Sequence, residues 1–133
     1  MRYEFYKPVY FRPEELVPPR FAINWYKYCD GTMLIALDRL RDRFGSITIN
    51  NYLWGGNLQY AGYRPFDSGT GSNDSQHCFG RAFDLKFGSQ VDLEEVISHI
   101  QSSMPEITIV RKYNWGLHID NRNCIKQVTW RSK

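Results

Sequence analysis

Between residues 32 and 44 the apolar side chains recur at three- and four-residue steps: Met33, Leu34, Leu37, Leu40 and Phe44. Asp38, Arg39, Arg41, Asp42 and Arg43 mostly fill the other face, so this spacing predicts an amphipathic helix. Asp30 or Thr32 is its cap candidate and Gly45 its end. A second helical pattern covers 91–103, with Asp92 near its start, Val96, Ile97 and Ile100 facing inward, and Pro105 as its stop. Residues 46–53 are β-branched and alternating, which predicts a strand; Gly55-Gly56 breaks it and 57–63 reads as another short one. Residues 64–76 are rich in Gly, Ser, Asp and Asn and read as a loop. Strands are then predicted at 79–87, 107–112, 116–120 and 125–130.

The order helix, strands, helix, strands predicts an α+β fold, with two helices packed on a largely antiparallel sheet. Residues 1–20 carry Pro8, Pro13, Pro18 and Pro19, which remove backbone donors and fix φ. They read as an extended arm lying over a single domain of residues 21–133. That division suits a chain of 133 residues, which is the size of one core.

Composition narrows the class without naming it. The chain is 42% hydrophobic and 16% aromatic, enough apolar surface to build a real core. A formal charge of +3 fits a polyanionic neighbour such as a cell-wall polymer. No clustered Lys/Arg stripe accompanies it, which argues against nucleic acid. The cysteines, Cys29, Cys78 and Cys124, are odd in number and lack a CxxC spacing, so they read as small hydrophobes rather than a disulfide framework. No apolar run approaches the roughly 18 residues of a membrane span. The start Met1-Arg2-Tyr3-Glu4-Phe5 lacks the apolar core of a secretory signal, so synthesis in the cytoplasm is expected.

The chemistry concentrates in two segments. His77 closes the 64–76 loop, and Asp84 follows seven residues later inside the predicted strand. Further on, Gly116, His118 and Asp120 alternate along a strand and so point to one face. If the two strands are neighbours, His77, Asp84 and His118 converge as two nitrogens and one oxygen, a zinc site on the sheet. Three ligands leave the fourth tetrahedral position open, the arrangement of a catalytic rather than a structural zinc. Zinc in such a site acidifies water and polarises a carbonyl.

Ser75–Asp84 matches SxHxxGxAxD; Ala61-Gly62-Tyr63-Arg64-Pro65 lies upstream, and Trp115-Gly116-Leu117-His118-Ile119-Asp120 places the second histidine near the C-terminus. Together these resemble the D-alanyl-D-alanine carboxypeptidase family of zinc peptidases, which includes small phage endolysins that cut peptidoglycan peptides. The resemblance spans about residues 47–130. It implies zinc ligands at His77, Asp84 and His118, and a substrate-facing Arg64 whose guanidinium can stabilise a developing oxyanion. It also implies peptidoglycan peptides as substrate and a phage lysis or virion protein, released to the cell wall or carried in the particle.

Ser75 is either a contact to the substrate or zinc shell, or a turn cap. Trp115 either walls the active site or packs in the core. Many members of the family place an acid shortly before the second histidine as general base, whereas Trp115, Gly116 and Leu117 stand here. Asp120 is the nearest acid, able to act on the water directly or to orient His118; the second role is favoured. A non-catalytic zinc-binding module that keeps the ligands without the base is the alternative expectation.

Overall fold

A computed structural model describes residues 5–72 and 74–132 of the chain. Its sheet has five strands in the order β1-β2-β4-β3-β5, where β1 is Ile47–Thr48, β2 Ala82–Phe87, β3 Ile109–Tyr113, β4 Gly116–Asp120 and β5 Val128–Arg131. All pairings are antiparallel except β3 with β5. The fold is α+β, as the pattern of elements predicts.

Alternation decides which side of this sheet is core. Phe83 and Leu85 on β2, Leu117 and Ile119 on β4 and Val110 on β3 point one way and are fully buried. They join a single apolar cluster with Met33, Leu34, Leu37 and Leu40 of helix α2 (Gly31–Phe44) and Val96, Ile97 and Ile100 of helix α3 (Leu93–Ser103). Burial of such side chains is worth about 1.5–3 kcal/mol each and is the main force holding the layers together. The opposite face of β2, β4 and β3 carries Asp84, His118 and Arg111, so the helices leave the chemistry-bearing side free.

Both helices start on an aspartate. The Asp30 carboxylate accepts from the Met33 amide at 3.0 Å and the Asp92 carboxylate from the Glu94 amide at 3.0 Å, each satisfying an orphan donor of the first turn. Gly45, at φ 85°, ends α2 in a conformation that favours glycine.

The stretch predicted as two strands departs from expectation. Only Ile47–Thr48 pairs with the sheet; Tyr52–Trp54 is a 3₁₀ turn, and residues 57–63 form no strand. Two asparagines are the physical cause. Asn50 Oδ1 accepts from the Ala61 amide at 3.0 Å while its Nδ2 donates to the Val17 carbonyl at 3.2 Å. Asn51 Oδ1 accepts from the Leu58 amide at 2.8 Å. Side-chain amides thus take the backbone partners that a strand ladder would use.

The N-terminal region is also more structured than an extended arm. Pro13–Leu16 makes a helical turn, α1, and Pro19–Lys27 a 3₁₀ segment, while Phe11, Leu16 and Val17 are buried in the core. Residues 1–4 lie outside the described part. Asp38, buried on α2, accepts from the Tyr6 hydroxyl at 2.5 Å and from the Val9 and Tyr10 amides at 2.8 and 3.1 Å. That carboxylate therefore fastens the segment to the helix layer. No helix among the described residues is long and apolar enough to cross a membrane.

Candidate metal centre

His77, expected at the end of the loop, sits in a turn, and the strand predicted from residue 79 begins only at Ala82. Gln76–Phe79 is a 3₁₀ turn whose cap is Ser75, with its hydroxyl accepting the His77 amide at 3.2 Å. The turn ends on Gly80 at φ 69°, and a Cβ there would meet the Tyr28 carbonyl oxygen at 1.8 Å. Glycine is required at that position by both the backbone conformation and the close approach. β2 then begins at Ala82 and carries Asp84 directly opposite His118 of β4.

His77 and His118 are buried, Asp84 is half-buried, and the three offer ligand atoms that all lie within 4.8 Å of one another. The outer ring nitrogens decide what the inner ones are. His77 Nδ1 contacts the Gly62 carbonyl at 2.8 Å, and a carbonyl only accepts, so Nδ1 carries the proton. His118 Nε2 lies 2.7 Å from Asp120 Oδ2, which two Arg122 nitrogens hold as a carboxylate, so Nε2–H is the donor there. In the neutral rings this leaves His77 Nε2 and His118 Nδ1 as bare lone pairs. They face the same Asp84 oxygen at 3.2 and 3.0 Å. Three acceptors aimed at one another need a proton or a cation between them, and two imidazoles with one carboxylate are a donor set that suits a divalent transition metal.

The ionisation of the cluster follows the same logic. Burial pushes the Asp84 carboxyl up, but the imidazoles of His118 and His77 beside it, where either is protonated, outweigh that and hold the group well below the usual carboxylate range. Burial pushes His118 down, yet Asp120 and Asp84 hold its pKa above the ordinary imidazole value. A metal entering this site competes with a proton for His118 Nδ1. Asp120 is likewise pushed up by burial and pulled further down by His118 and Arg122.

The other candidate residues separate clearly. Arg64 lines a cleft of ≈ 370 Å³ together with Asp84, Lys86, Tyr60, Thr70 and Trp115. Its Nη2 donates to Ser75 Oγ at 3.0 Å, while its Nε is buried without a partner. Ser75 is therefore a turn cap that also steadies Arg64. Trp115 is 40% exposed and stacks on Tyr113 at 5.1 Å, so it forms a wall of the cleft and not core.

Asp120 is fully buried and sits on the Nε2 side of His118, whereas Asp84 lies on the Nδ1 side. It positions the imidazole and is not placed to take a proton from a molecule in the cleft. Of the two roles considered for Asp120, this geometry favours the orienting one, which was also the one favoured from the sequence. No relative of known identity guides this assignment: no protein-family model, curated protein or solved structure matches the chain. That His77, Asp84 and His118 could hold a metal ion rests on the geometry alone.

Among the described residues, Asp84 is the sole carboxylate lining the cleft. Lys86 was missed in the sequence, although it lies two residues beyond Asp84 and so shares its face. Arg122 was missed as well; its place two residues beyond Asp120 was the available signal. The Gly62 carbonyl offered none, since nothing in a sequence marks a backbone oxygen as a histidine partner. Elsewhere, His99 is half-buried with its ring 5.6 Å from Phe44, Cys78 is buried, and Cys124 is exposed.

Proposed function

We propose that the chain is a zinc-dependent peptidase acting on peptidoglycan peptides, with His77 Nε2, Asp84 Oδ1 and His118 Nδ1 as the metal-holding atoms. The observation that supports this most is the convergence of three lone-pair donors whose outer partners fix the histidine tautomers. A cation with an open coordination position would supply acidified water and carbonyl polarisation at that point.

The protein's own part is orientation and charge. Arg64, braced by Ser75, and Lys86 bring positive charge to the cleft where an amide oxygen gains negative charge during acyl transfer. Trp115 and Tyr60 wall it and restrict the pose of an extended peptide. Asp120, held by Arg122, keeps the His118 ring turned with Nδ1 inward. The peptidoglycan assignment draws on the resemblance of SxHxxGxAxD and the late His118 segment to the D-alanyl-D-alanine carboxypeptidase family.

A second reading, a metal-binding module without catalysis, has one observation in its favour: the absence of any described carboxylate besides Asp84 in the cleft. Defined muropeptides separate the two. The enzyme shortens them, and both chelation and His118→Ala abolish the cleavage. Bound zinc with no muropeptide cut across a broad pH range leaves the binding module.

A further inference from the structure

The sheet row that carries the ligands does not end with them. Register places Asp84 opposite His118, His118 opposite Arg111, and Arg111 opposite Trp130. Residues directly opposite one another share a face, so this is one lateral row across four strands. With strands about 4.8 Å apart, the Arg111 backbone stands one strand beyond His118 and two beyond Asp84, roughly 10 Å from it.

Arg111 opens into a second groove of ≈ 340 Å³, lined also by Ile109, Tyr113, Val128 and Trp130. The groove and the metal cleft share a wall, because Trp115 lines the cleft and stacks at 5.1 Å and 7° on Tyr113, which lines the groove. The basic residues around it differ in how they are used. Lys112 and Arg131 point to the other face and both bind Glu94, at 2.8 Å each. Among the described residues, the Arg111 guanidinium has no hydrogen-bond or ion-pair partner, although the residue is half-buried.

We infer that Arg111 binds a carboxylate of the peptide whose backbone crosses the metal cleft, and so sets specificity two to three residues from the reacting bond. A planar guanidinium with unused donors matches a carboxylate in bidentate geometry. A single cation among Ile109, Val128 and two aromatic rings suits one negative charge on an aliphatic stem, with the stem lying against Trp130. A phosphate dianion would leave charge uncompensated there. The separation of roughly 10 Å is three residues of extended chain at about 3.3 Å each. The word substrate rests on the peptidase reading; the binding of a carboxylate by Arg111 does not.

The test uses metal-free protein, prepared with 1,10-phenanthroline, so that carboxylate binding to a metal cannot contribute. Three probes are titrated by NMR: acetyl-Ala-Gln-Ala amide, the same peptide as its free acid, and acetyl-Ala-Glu-Ala amide. We expect at least one acidic probe to bind tenfold or more tightly than the neutral one, weakening with salt. Arg111→Met abolishes that preference and leaves the neutral probe unchanged, while Arg111→Lys keeps part of it. Preference for the free acid assigns the α-carboxylate, and preference for the Glu probe assigns a side chain. Equal binding of all three to the wild type overturns the inference, as does a preference that survives in Arg111→Met. A protein that takes up no zinc, or cuts no peptide when loaded, would defeat the peptidase reading while leaving this preference in place.

Discussion

Replacing Asp120 by asparagine separates two roles that a carboxylate near a metal can have. The wild-type group accepts from His118 Nε2 at 2.7 Å and from Arg122 Nε and Nη2 at 2.9 and 2.7 Å, with no exposure to water. A carboxamide of the same shape has one acceptor oxygen where the carboxylate has two. With the oxygen in the Oδ1 place, His118 Nε2 and Arg122 Nη2 both face the NH2 group, donor to donor; with it in the Oδ2 place, Arg122 Nε faces it and His118 keeps only a neutral, weaker acceptor. Loss of a partner that orients a metal-ligating histidine typically weakens metal binding about 10- to 100-fold. That range equals about 1.4–2.7 kcal/mol. Breaking one charged hydrogen bond costs about 1.5–3 kcal/mol of stability. The cost here falls toward the lower end, since the Arg122 side chain is 34% exposed and can turn to water. The fold should therefore persist. The assay is a zinc titration against a chromophoric chelator, with muropeptide cleavage followed as free zinc is raised. Asp120→Asn should bind zinc 10- to 100-fold more weakly and recover a rate within several-fold of wild type at saturation. Unchanged zinc affinity with a rate loss of about 10²–10⁴-fold, the usual effect of removing a general base, would refute the positioning role.

Two further outcomes test how the scaffold holds the site. Gly116, at φ 154°, leaves no room for a side chain, because a Cβ would lie 2.0 Å from the Leu85 carbonyl oxygen; Gly116→Ala should lower unfolding free energy by about 1–3 kcal/mol in urea and weaken zinc binding by shifting β4 against β2. Glu94 bonds Arg131 and Lys112, which lower its pKa from 4.5 to about 2. A carboxyl depressed in the folded state adds stability above the unfolded value and loses it as pH falls. The difference in melting temperature between wild type and Glu94→Gln should thus be constant above about pH 5 and close between 4.5 and about 2. A difference that stays constant down to pH 2 would show that the Glu94 ion pairs contribute nothing.

How much of this was legible in the sequence differs from element to element, for physical reasons. The helices declare themselves because one face of each is buried, so burial imprints a period on the residues themselves; β4 is buried on both faces and shows its period through Leu117 and Ile119 alternating with Gly116, His118 and Asp120. The pairing of Asp84 with His118 was available from alternation once the two strands were taken as neighbours. Residues 46–63 misled because their β-branched pattern is real, while Asn50 and Asn51 redirect the backbone through contacts as distant as Val17. The parallel pairing of β3 with β5 was equally hidden, since no local turn fixes it, and with it the alignment of Trp130 beside Arg111. Asp120 shows the limit most plainly. Its face was readable from the strand period, but which ring nitrogen of His118 it meets depends on a rotamer set by Arg122 and packing.

X-ray absorption at the zinc edge tests the central claim most directly, on protein supplied with one equivalent of zinc. One tightly held zinc per chain is expected, with only nitrogen and oxygen in its first shell at about 2.0–2.2 Å and the multiple scattering of two imidazoles. His118→Ala should remove one imidazole and most of the affinity. A sulfur neighbour at about 2.3 Å would assign the metal to a cysteine such as Cys78, and no stable zinc at all would contradict the metal centre.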